Sequence, residues 1–305
     1  MICSCGRTHA TLLAEKIDAD KKAIEELRAQ ARTQTGAIKD LTEAKIRELE
    51  AELAAETAMK KALRKAKREI VANLKAGLSL ASPEFFFQLT RDQLLEFVLR
   101  GGLGLAVDEF MAQQGEITKT IIETILETYD GLTPEMISAA QIDALQVNAA
   151  DAVFQDVIIP DTLKSVREAL NAISVDVPIN QAMTALSARL EQSEGRQLTE
   201  VRTKLSQHGR AVTAQLADDA GLDLYLYTGP RDGITRDFCR ALINKVVDEK
   251  QMRRLSNGQG LPVKTSGGGY NCRHSWSPIT EGFMIAAKLN KATASDIAKA
   301  NAGAR

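Results

Sequence analysis

Apolar residues between Ala14 and Leu74 recur at spacings of three, four and seven positions, and polar residues fill most of the intervals. This periodicity predicts one or two long amphipathic helices with a narrow apolar stripe. So narrow a stripe needs a partner helix, either another copy of the chain or a second segment of it. The phase of the apolar repeat changes between Leu41 and Ile46, which indicates either a stutter in one helix or a turn between two helices. The stripe consists of Ile17, Ile24, Leu27, Ala31, Ile38, Leu41, Ile46, Leu49, Leu53, Met59, Leu63, Ala66, Ile70 and Leu74.

The segment Leu78–Met111 is the most apolar part of the chain, and we predict that it holds the main core. Ser82 before Pro83 is typical of a capped helix start, and the glycines of Gly101–Gly104 are predicted to end that helix. The consecutive side chains of Phe85–Phe87 cannot all face one side of a helix. An exposed apolar surface that docks on a partner is therefore the other interpretation of this segment.

Further helices are predicted as far as Asp219. Thr133 and Asp161 are each followed by a helical pattern and are predicted to cap it. The stretch Ile179–Asp219 is also helical in pattern, with predicted breaks near Gly195 and Gly209.

The pattern changes at Gly221. Apolar and polar or aromatic residues alternate from Leu222 to Tyr227, which predicts a strand, and a turn-rich module with little strand follows. From Gly282 onward we predict a short apolar helix and a disordered tail. The fold class is therefore mainly α, with long N-terminal amphipathic helices, a helical middle region and a small α+β C-terminal module. The predicted domains are a long helical segment (1–77), a helical core domain (78–220) and the C-terminal module (221–305).

Composition excludes several classes of protein. The chain of 305 residues is 44% hydrophobic, which is ordinary for a globular protein, and 4% aromatic, which is low for a large enzyme core. Its net charge of −1 gives no overall attraction to nucleic acid or to an anionic membrane. The first residues lack the basic region and apolar stretch typical of a signal peptide, Glu96 and Arg100 interrupt the longest apolar run, and four Cys do not make a disulfide framework. We expect a protein that is neither secreted nor membrane-spanning and lies in a reducing compartment.

A run of six basic side chains in nine residues lies within the long helical segment. The first interpretation is a solvated helix face on which Glu56 pairs with Lys60 one turn later. The other is a contact with nucleic-acid phosphates. The basic residues are Lys60, Lys61, Arg64, Lys65, Lys67 and Arg68.

Two patches of the C-terminal module concentrate the chemistry of the chain. Cys239, Cys272 and His274 are candidate ligands for zinc, although the sequence contains only one closely spaced pair. The other interpretations of Cys239 are a buried apolar residue on its helix and, in an oxidising compartment, a disulfide with Cys272. Cys3 and Cys5, with His9, form a second partial metal pattern, or a frayed terminus with chance cysteines.

The same two patches contain arginines and aspartates that can pair, which predicts a structural knot between a helix and a glycine-rich loop. Thr235 or Asp237 is predicted to cap that helix, and the glycines at 267–269 would permit close backbone approach. Trp276 would supply aromatic mass to this small module.

The segments GPRDGITRDFC and GGGYNCRHSWSPI, separated by about thirty residues, resemble the C-terminal module of phage Mu protein F-like minor head proteins, the phage head morphogenesis family. The resemblance covers roughly Tyr225 to Thr280. A Cys-x-x-Cys pair found in the better-known variant of the family is absent here, which argues against carrying metal binding over. The arginine–aspartate pairing and the family resemblance together define the residues of the structural knot. They are Asp232, Thr235, Arg236, Cys239, Gly269, Asn271, Arg273 and Trp276.

The resemblance implies a structural, portal-associated protein of a tailed-phage head, in some members ejected with the DNA. We therefore expect a non-enzymatic virion protein without a cofactor, assembled in the host cytoplasm. Its expected partners are portal and capsid proteins, further copies of itself and packaged DNA, with no membrane in the assembled head. The alternative is a metal-dependent nuclease or hydrolase that uses Asp232, Cys239, Cys272 and His274.

Overall fold

The computed structural model of the chain describes residues 9–80, 83–128, 133 and 138–304. The described residues are mainly helical, with a four-stranded sheet near the C-terminus, and the predicted fold class is confirmed. None of the described helices is long and apolar enough to cross a membrane. The helices are α1 (His9–Thr33), α2 (Ala37–Leu80), α3 (Pro83–Phe87), α4 (Arg91–Val98), α5 (Gly104–Thr128), α6 (Ala139–Val153), α7 (Ile159–Ser174), α8 (Ile179–Asp219), α9 (Asp237–Leu242), α10 (Glu249–Met252), α11 (Val263–Ser266), α12 (Glu281–Ala286) and α13 (Ala294–Ala302). The strands are β1 (Leu224–Thr228), β2 (Lys245–Asp248), β3 (Ser275–Ile279) and β4 (Asn290–Lys291).

The chain folds into two compact units, each made of three segments. One comprises Met1–Ala14, Ala55–Gln113 and Val147–Lys204, and the other Glu15–Ala54, Gln114–Gln146 and Leu205–Arg305. The second unit contains both patches of the C-terminal module. The three consecutive domains inferred from the sequence stay a prediction.

The narrow stripe of the N-terminal segment finds its partner within the chain. Helix α1 ends at Thr33 and α2 begins at Ala37, with Gly36 between them at a φ of 59° that favours glycine. Apolar residues of the two helices then form one buried cluster, which a single helix could not make. The cluster consists of Ile24, Leu27, Ala31, Ile46 and Leu49, with the partly buried Leu53 against it.

The helical path is interrupted at the predicted glycines, because Gly102 has non-helical backbone angles, with φ of 116° and ψ of −15°. Helix α4 ends at Val98, and the kinked segment Leu99–Leu103 joins it to α5. A Cβ on Gly102 would lie 3.1 Å from the Cα of Ala66. The missing side chain at Gly102 therefore allows α2 to lie close to this kink. This packing involves a segment that is distant in sequence.

The predicted helix start at Ser82 and the residues next to Thr133 lie outside the described residues. Asp161 does not cap a helix, because α6 continues through a π-helical turn, Phe154–Ile158, into α7. The Asp161 carboxylate instead pairs with Arg196. Of the three consecutive phenylalanines, Phe86 is buried and Phe85 is 60% exposed.

Helix α8 is continuous, so the predicted breaks at Gly195 and Gly209 are wrong. A Cβ on Gly209 would lie 3.3 Å from Ile117 and 3.2 Å from Ile121 of α5. Gly209 thus lets α5 and α8 pack closely. Helix α8 tolerates the low helix propensity of glycine because the packing contributes more to stability than the propensity costs.

The predicted strand near Leu222–Tyr227 is confirmed as β1. It lies inside the sheet, whose order is β3-β1-β2-β4, and pairs antiparallel with both β2 and β3, whereas β2 and β4 are parallel. Leu224 and Leu226 pack in one apolar cluster, and Tyr225 and Tyr227 pack in another. Both faces of the strand are therefore covered, which is why apolar and aromatic residues alternate there.

The prediction of a disordered tail is wrong. Helix α13 begins with a reciprocal cap in which Thr293 accepts from the backbone of Asp296 and the Asp296 carboxylate accepts from that of Thr293. Ile297 and Ala300 are buried in the core of the module. The apolar face of α13 is small, and the surrounding Ala, Lys and Asn residues gave no clear helical pattern in the sequence.

A buried imidazole on α8 leads to a prediction about pH. His208 is 2% exposed, its Nε2 lies 2.8 Å from the hydroxyl of Thr118, and burial lowers its pKa to about 4. The unfolded chain binds a proton below its pKa of about 6.5, whereas the folded protein does not until about pH 4. We expect the free energy of unfolding to fall by about 2 kcal/mol between pH 7 and pH 5 through this residue.

Urea unfolding at a series of pH values measures this effect. His208→Gln, which keeps a polar partner for Thr118, should show a smaller loss over the same range. An equal loss in the variant and the parent would mean that another group is responsible.

Candidate functional site

Helix α9 presents one buried face, made of Phe238, Cys239 and Leu242, to the core of the module. Arg236 occupies the N-cap position and has no side-chain cap, so the predicted cap by Thr235 or Asp237 is wrong. The hydroxyl of Thr235 instead contacts the carboxylate of Asp232 at 2.9 Å, which stabilises the turn before the helix. This turn directs the sulfur of Cys239 toward the glycine-rich loop.

The loop approaches α9 as closely as it does because it has no side chain at Gly268. A Cβ at this position would lie 2.6 Å from the Sγ of Cys239. The backbone N–H of Gly268 donates to the Sγ of Cys272 at 3.2 Å. Gly267 and Gly269 have φ values of 52° and 100°, a region that favours glycine.

Cys239, Cys272 and His274 meet at one buried point. The two sulfurs are 3.7 Å apart, and the Sγ of Cys272 lies 3.8 Å from the Nδ1 of His274. All three donor atoms lie within 4.8 Å of one another. The exposed fractions of these residues are 2%, 7% and 2%. The sulfur separation is too long for a disulfide, and both thiols are free.

Tyr227 completes this cluster, and our sequence analysis did not identify it. Its Oη lies 3.4 Å from the Sγ of Cys239 and 3.5 Å from the Sγ of Cys272. Its ring stacks on that of His274, with centroids 5.4 Å apart. Tyr227 pairs with Trp276 across β1 and β3. The strand periodicity was a usable signal, because it places Tyr227 on the face opposite Leu226, but nothing local indicated what that face meets.

The orientation of His274 follows from its hydrogen bond. Its Nε2 lies 2.8 Å from the carbonyl oxygen of Pro230, so Nε2 carries the proton and donates, leaving Nδ1 as an acceptor toward Cys272. Gly229 permits this arrangement, because a Cβ there would lie 2.5 Å from the imidazole ring.

The electrostatics of the cluster distinguish its two cysteines. The hydrogen bond between the thiols lowers the pKa of Cys272, against the effect of burial, and His274 and Arg210 act in the same direction. The same thiol–thiol hydrogen bond, together with burial, raises the pKa of Cys239. Burial raises the pKa of Tyr227 well above its usual value. Among Cys272, Cys239 and Tyr227, Cys272 is therefore the first to lose a proton.

The segment Cys272–Ser275 faces two ways. Cys272 and His274 direct their side chains into the cluster, whereas Arg273 donates to the carbonyl oxygen of Ala19 on α1 at 3.2 Å. Ser275 donates to the carboxylate of Glu48 on α2 at 3.1 Å. One extended segment thus connects the cluster to the long N-terminal helices.

The residues assigned to the knot all lie around this cluster. Arg273 forms a two-point ion pair with Asp232, at 2.7 and 2.8 Å. Burial alone would raise the pKa of Asp232, but the hydrogen bonds from Arg273 and Thr235 lower it to about 2. Among the described residues, Arg236 does not pair with a carboxylate as predicted. Its guanidinium donates hydrogen bonds to the carbonyl oxygens of Gly268 and Tyr270 at 2.6 and 2.7 Å.

Two other members of the knot act through the backbone and the core. Asn271 adopts a φ of 55°, in the left-handed region, between Tyr270 and Cys272. The indole N–H of Trp276 donates to the carbonyl oxygen of Val263 at 3.0 Å. Trp276 also packs 4.3 Å from the ring of Tyr227, centroid to centroid.

The basic run on α2 forms ion pairs within its own unit. Arg64 pairs with Glu194 at 2.7 Å, and Lys65 lies 3.8 Å from Glu69. Lys67 is buried and donates to the carbonyl oxygen of Leu190, and burial lowers its pKa to about 8. Lys60, Lys61 and Arg68 complete the run, and binding of nucleic acid by this surface stays a prediction. Of the N-terminal metal pattern, Cys3 and Cys5 lie outside the described residues, and His9 begins α1.

Fold and site together define a mainly helical protein whose small α+β module closes around a buried cysteine–histidine–tyrosine cluster. Comparison with family models, with curated proteins and with solved structures finds no match to this chain.

Proposed function

We propose that the chain is a structural minor head protein of a tailed bacteriophage, associated with the portal, and that its C-terminal module serves attachment. One observation carries the proposal. The two segments that resemble the Mu F-like module, separated by about thirty residues, pack around one buried cluster. Helix and loop are joined by Arg236 and by the pair of Arg273 with Asp232. These contacts hold the helix and the loop in one fixed arrangement, and a module that attaches to other proteins needs such a fixed shape.

Burial of the cluster favours attachment over the alternative of a nuclease or hydrolase. A catalytic group has to reach its substrate, whereas Cys239, Cys272 and His274 are at most 7% exposed. The carboxylate of Asp232 is already bound by Arg273 and Thr235. The proposal therefore assigns no turnover to these residues.

Mass spectrometry of purified particles of the encoding phage tests the proposal. We expect the chain in the particles together with the portal and capsid proteins, and we expect abnormal heads when its gene is deleted. Particles that lack the chain, together with normal heads in the deletion mutant, would exclude the proposed function.

A separate assay tests the nuclease alternative. The purified chain is incubated with plasmid DNA and divalent metal ions, with His274→Ala as the control. The proposal expects no cleavage by either protein. Cleavage by the parent that disappears in the variant would replace attachment by catalysis at this cluster.

A further inference from the structure

The buried cluster contains four potential metal-donor atoms, and the three from Cys239, Cys272 and His274 lie within 4.8 Å of one another. The four are the two sulfurs, the imidazole Nδ1 of His274 and the phenol oxygen of Tyr227. With Zn–S bonds of about 2.3 Å and Zn–N or Zn–O bonds of about 2.0 Å, a tetrahedral zinc site has S···S edges of about 3.8 Å and S···N or S···O edges of about 3.5 Å. In the structure the S···S distance is 3.7 Å, the S···N distance from Cys272 is 3.8 Å, and the two S···O distances are 3.4 and 3.5 Å.

The surroundings of these donors suit a bound cation. A histidine that binds metal through one nitrogen usually donates its other N–H to a carbonyl or carboxylate, as His274 does to Pro230. The N–H of Gly268 donates to the sulfur of Cys272, which stabilises a thiolate. Two thiolates and an imidazole form a soft donor set that suits zinc.

We propose that Cys239, Cys272, His274 and Tyr227 form a closed zinc site in which the Tyr227 oxygen is the fourth ligand. All four residues are buried, so no position is open to substrate, and the ion would have a structural role. The site would join three elements, β1, α9 and the segment that enters β3. This inference is independent of the proposed function, because a zinc site of this kind would fasten the module in any protein.

Metal analysis of the full-length chain, purified under reducing conditions, is the first test. We expect one zinc per chain, with intact thiols by mass spectrometry of the unfolded protein. Replacement of Cys239 or Cys272 by serine should lower zinc affinity at least about tenfold, since even a change beyond the ligands costs that much. Absence of zinc after incubation with zinc salt, or a disulfide between Cys239 and Cys272 found by mass spectrometry of proteolytic peptides, would overturn the proposal.

The role of Tyr227 has its own test. Zinc added to the metal-free chain should produce the ultraviolet difference band of a tyrosinate. Tyr227→Phe should remove that band and weaken zinc binding by about tenfold or more. Tyr225→Phe is the matched control, because Tyr225 is a buried tyrosine of the same strand whose hydroxyl contacts Leu222 and Glu249 instead.

Each outcome of the tyrosine test is informative. A band that persists in Tyr225→Phe and disappears in Tyr227→Phe supports the fourth ligand. Tight zinc binding without any tyrosinate band would mean that Tyr227 only donates a hydrogen bond to a thiolate, and its assignment as a ligand would be wrong. The fluorescence of Trp276 verifies that each variant is folded.

Discussion

Replacing Arg273 with methionine is expected to lower the free energy of unfolding by about 3 to 5 kcal/mol, since one partner of a buried ion pair is removed. The side chains of Arg273 and Asp232 are only 7% and 8% exposed, so the remaining carboxylate would be left without its cation in a poorly hydrated place. The variant would also lose the hydrogen bond to Ala19 of α1. Urea unfolding followed by the fluorescence of Trp276, the single Trp of the chain, measures the loss.

Two controls isolate the ion pair. Arg231→Met changes an exposed arginine of the same turn and should have little effect. The double variant Asp232→Asn with Arg273→Met removes both charges and should recover part of the loss, which a double-mutant cycle quantifies. If Arg273→Met is as stable as Arg231→Met, the pair does not fasten the module.

Gly268→Ala is expected to destabilise the module by about 3 kcal/mol, at the upper end of the usual cost of overpacking. The added methyl group would lie 2.6 Å from the Sγ of Cys239 and 3.3 Å from the ring of Phe238. Cys239 has little room to move, because Tyr227 and Cys272 contact its sulfur. Zinc affinity should fall as well, since the loop and the helix would be pushed apart.

Gly233→Ala provides the matched control for this substitution. Gly233 also lies in a loop of the module, but a Cβ there would have no atom within 4 Å. Thermal unfolding and zinc binding of the two variants are compared under the same conditions. Equal behaviour of both variants would contradict the close approach at Gly268.

Local patterns in the sequence were sufficient for the long N-terminal helices and for most of the cluster. Periodic apolar residues predicted the segment that forms α1 and α2, because a helix that packs on one side repeats its apolar residues every three or four positions. Cys239, Cys272 and His274 were recognisable as donors because those residue types are rare in this chain and lie in two short patches. Tyr227 was not recognisable, because a tyrosine on a strand is usual in any core.

The glycines show where local reasoning fails. Gly36 separates two helices and Gly102 lies at a kink between two helices, whereas Gly209 lies inside a continuous helix. The sequence pattern predicted a break at Gly102 and at Gly209 alike, and it placed the turn near Gly36 later, between Leu41 and Ile46. Packing decides among them, since Gly102 and Gly209 lie against side chains or backbone that are distant in sequence.

The sequence by itself determined that this protein is mainly helical and that the donor groups Cys239, Cys272 and His274 lie in one small C-terminal module, because both properties depend on residue type and local spacing. Only the tertiary structure decided that α1 and α2 pack on each other and that the last helix is ordered. It also decided that Tyr227 joins the cysteines. These outcomes depend on contacts between residues far apart in the chain, whose free energy outweighs local preference when the core forms.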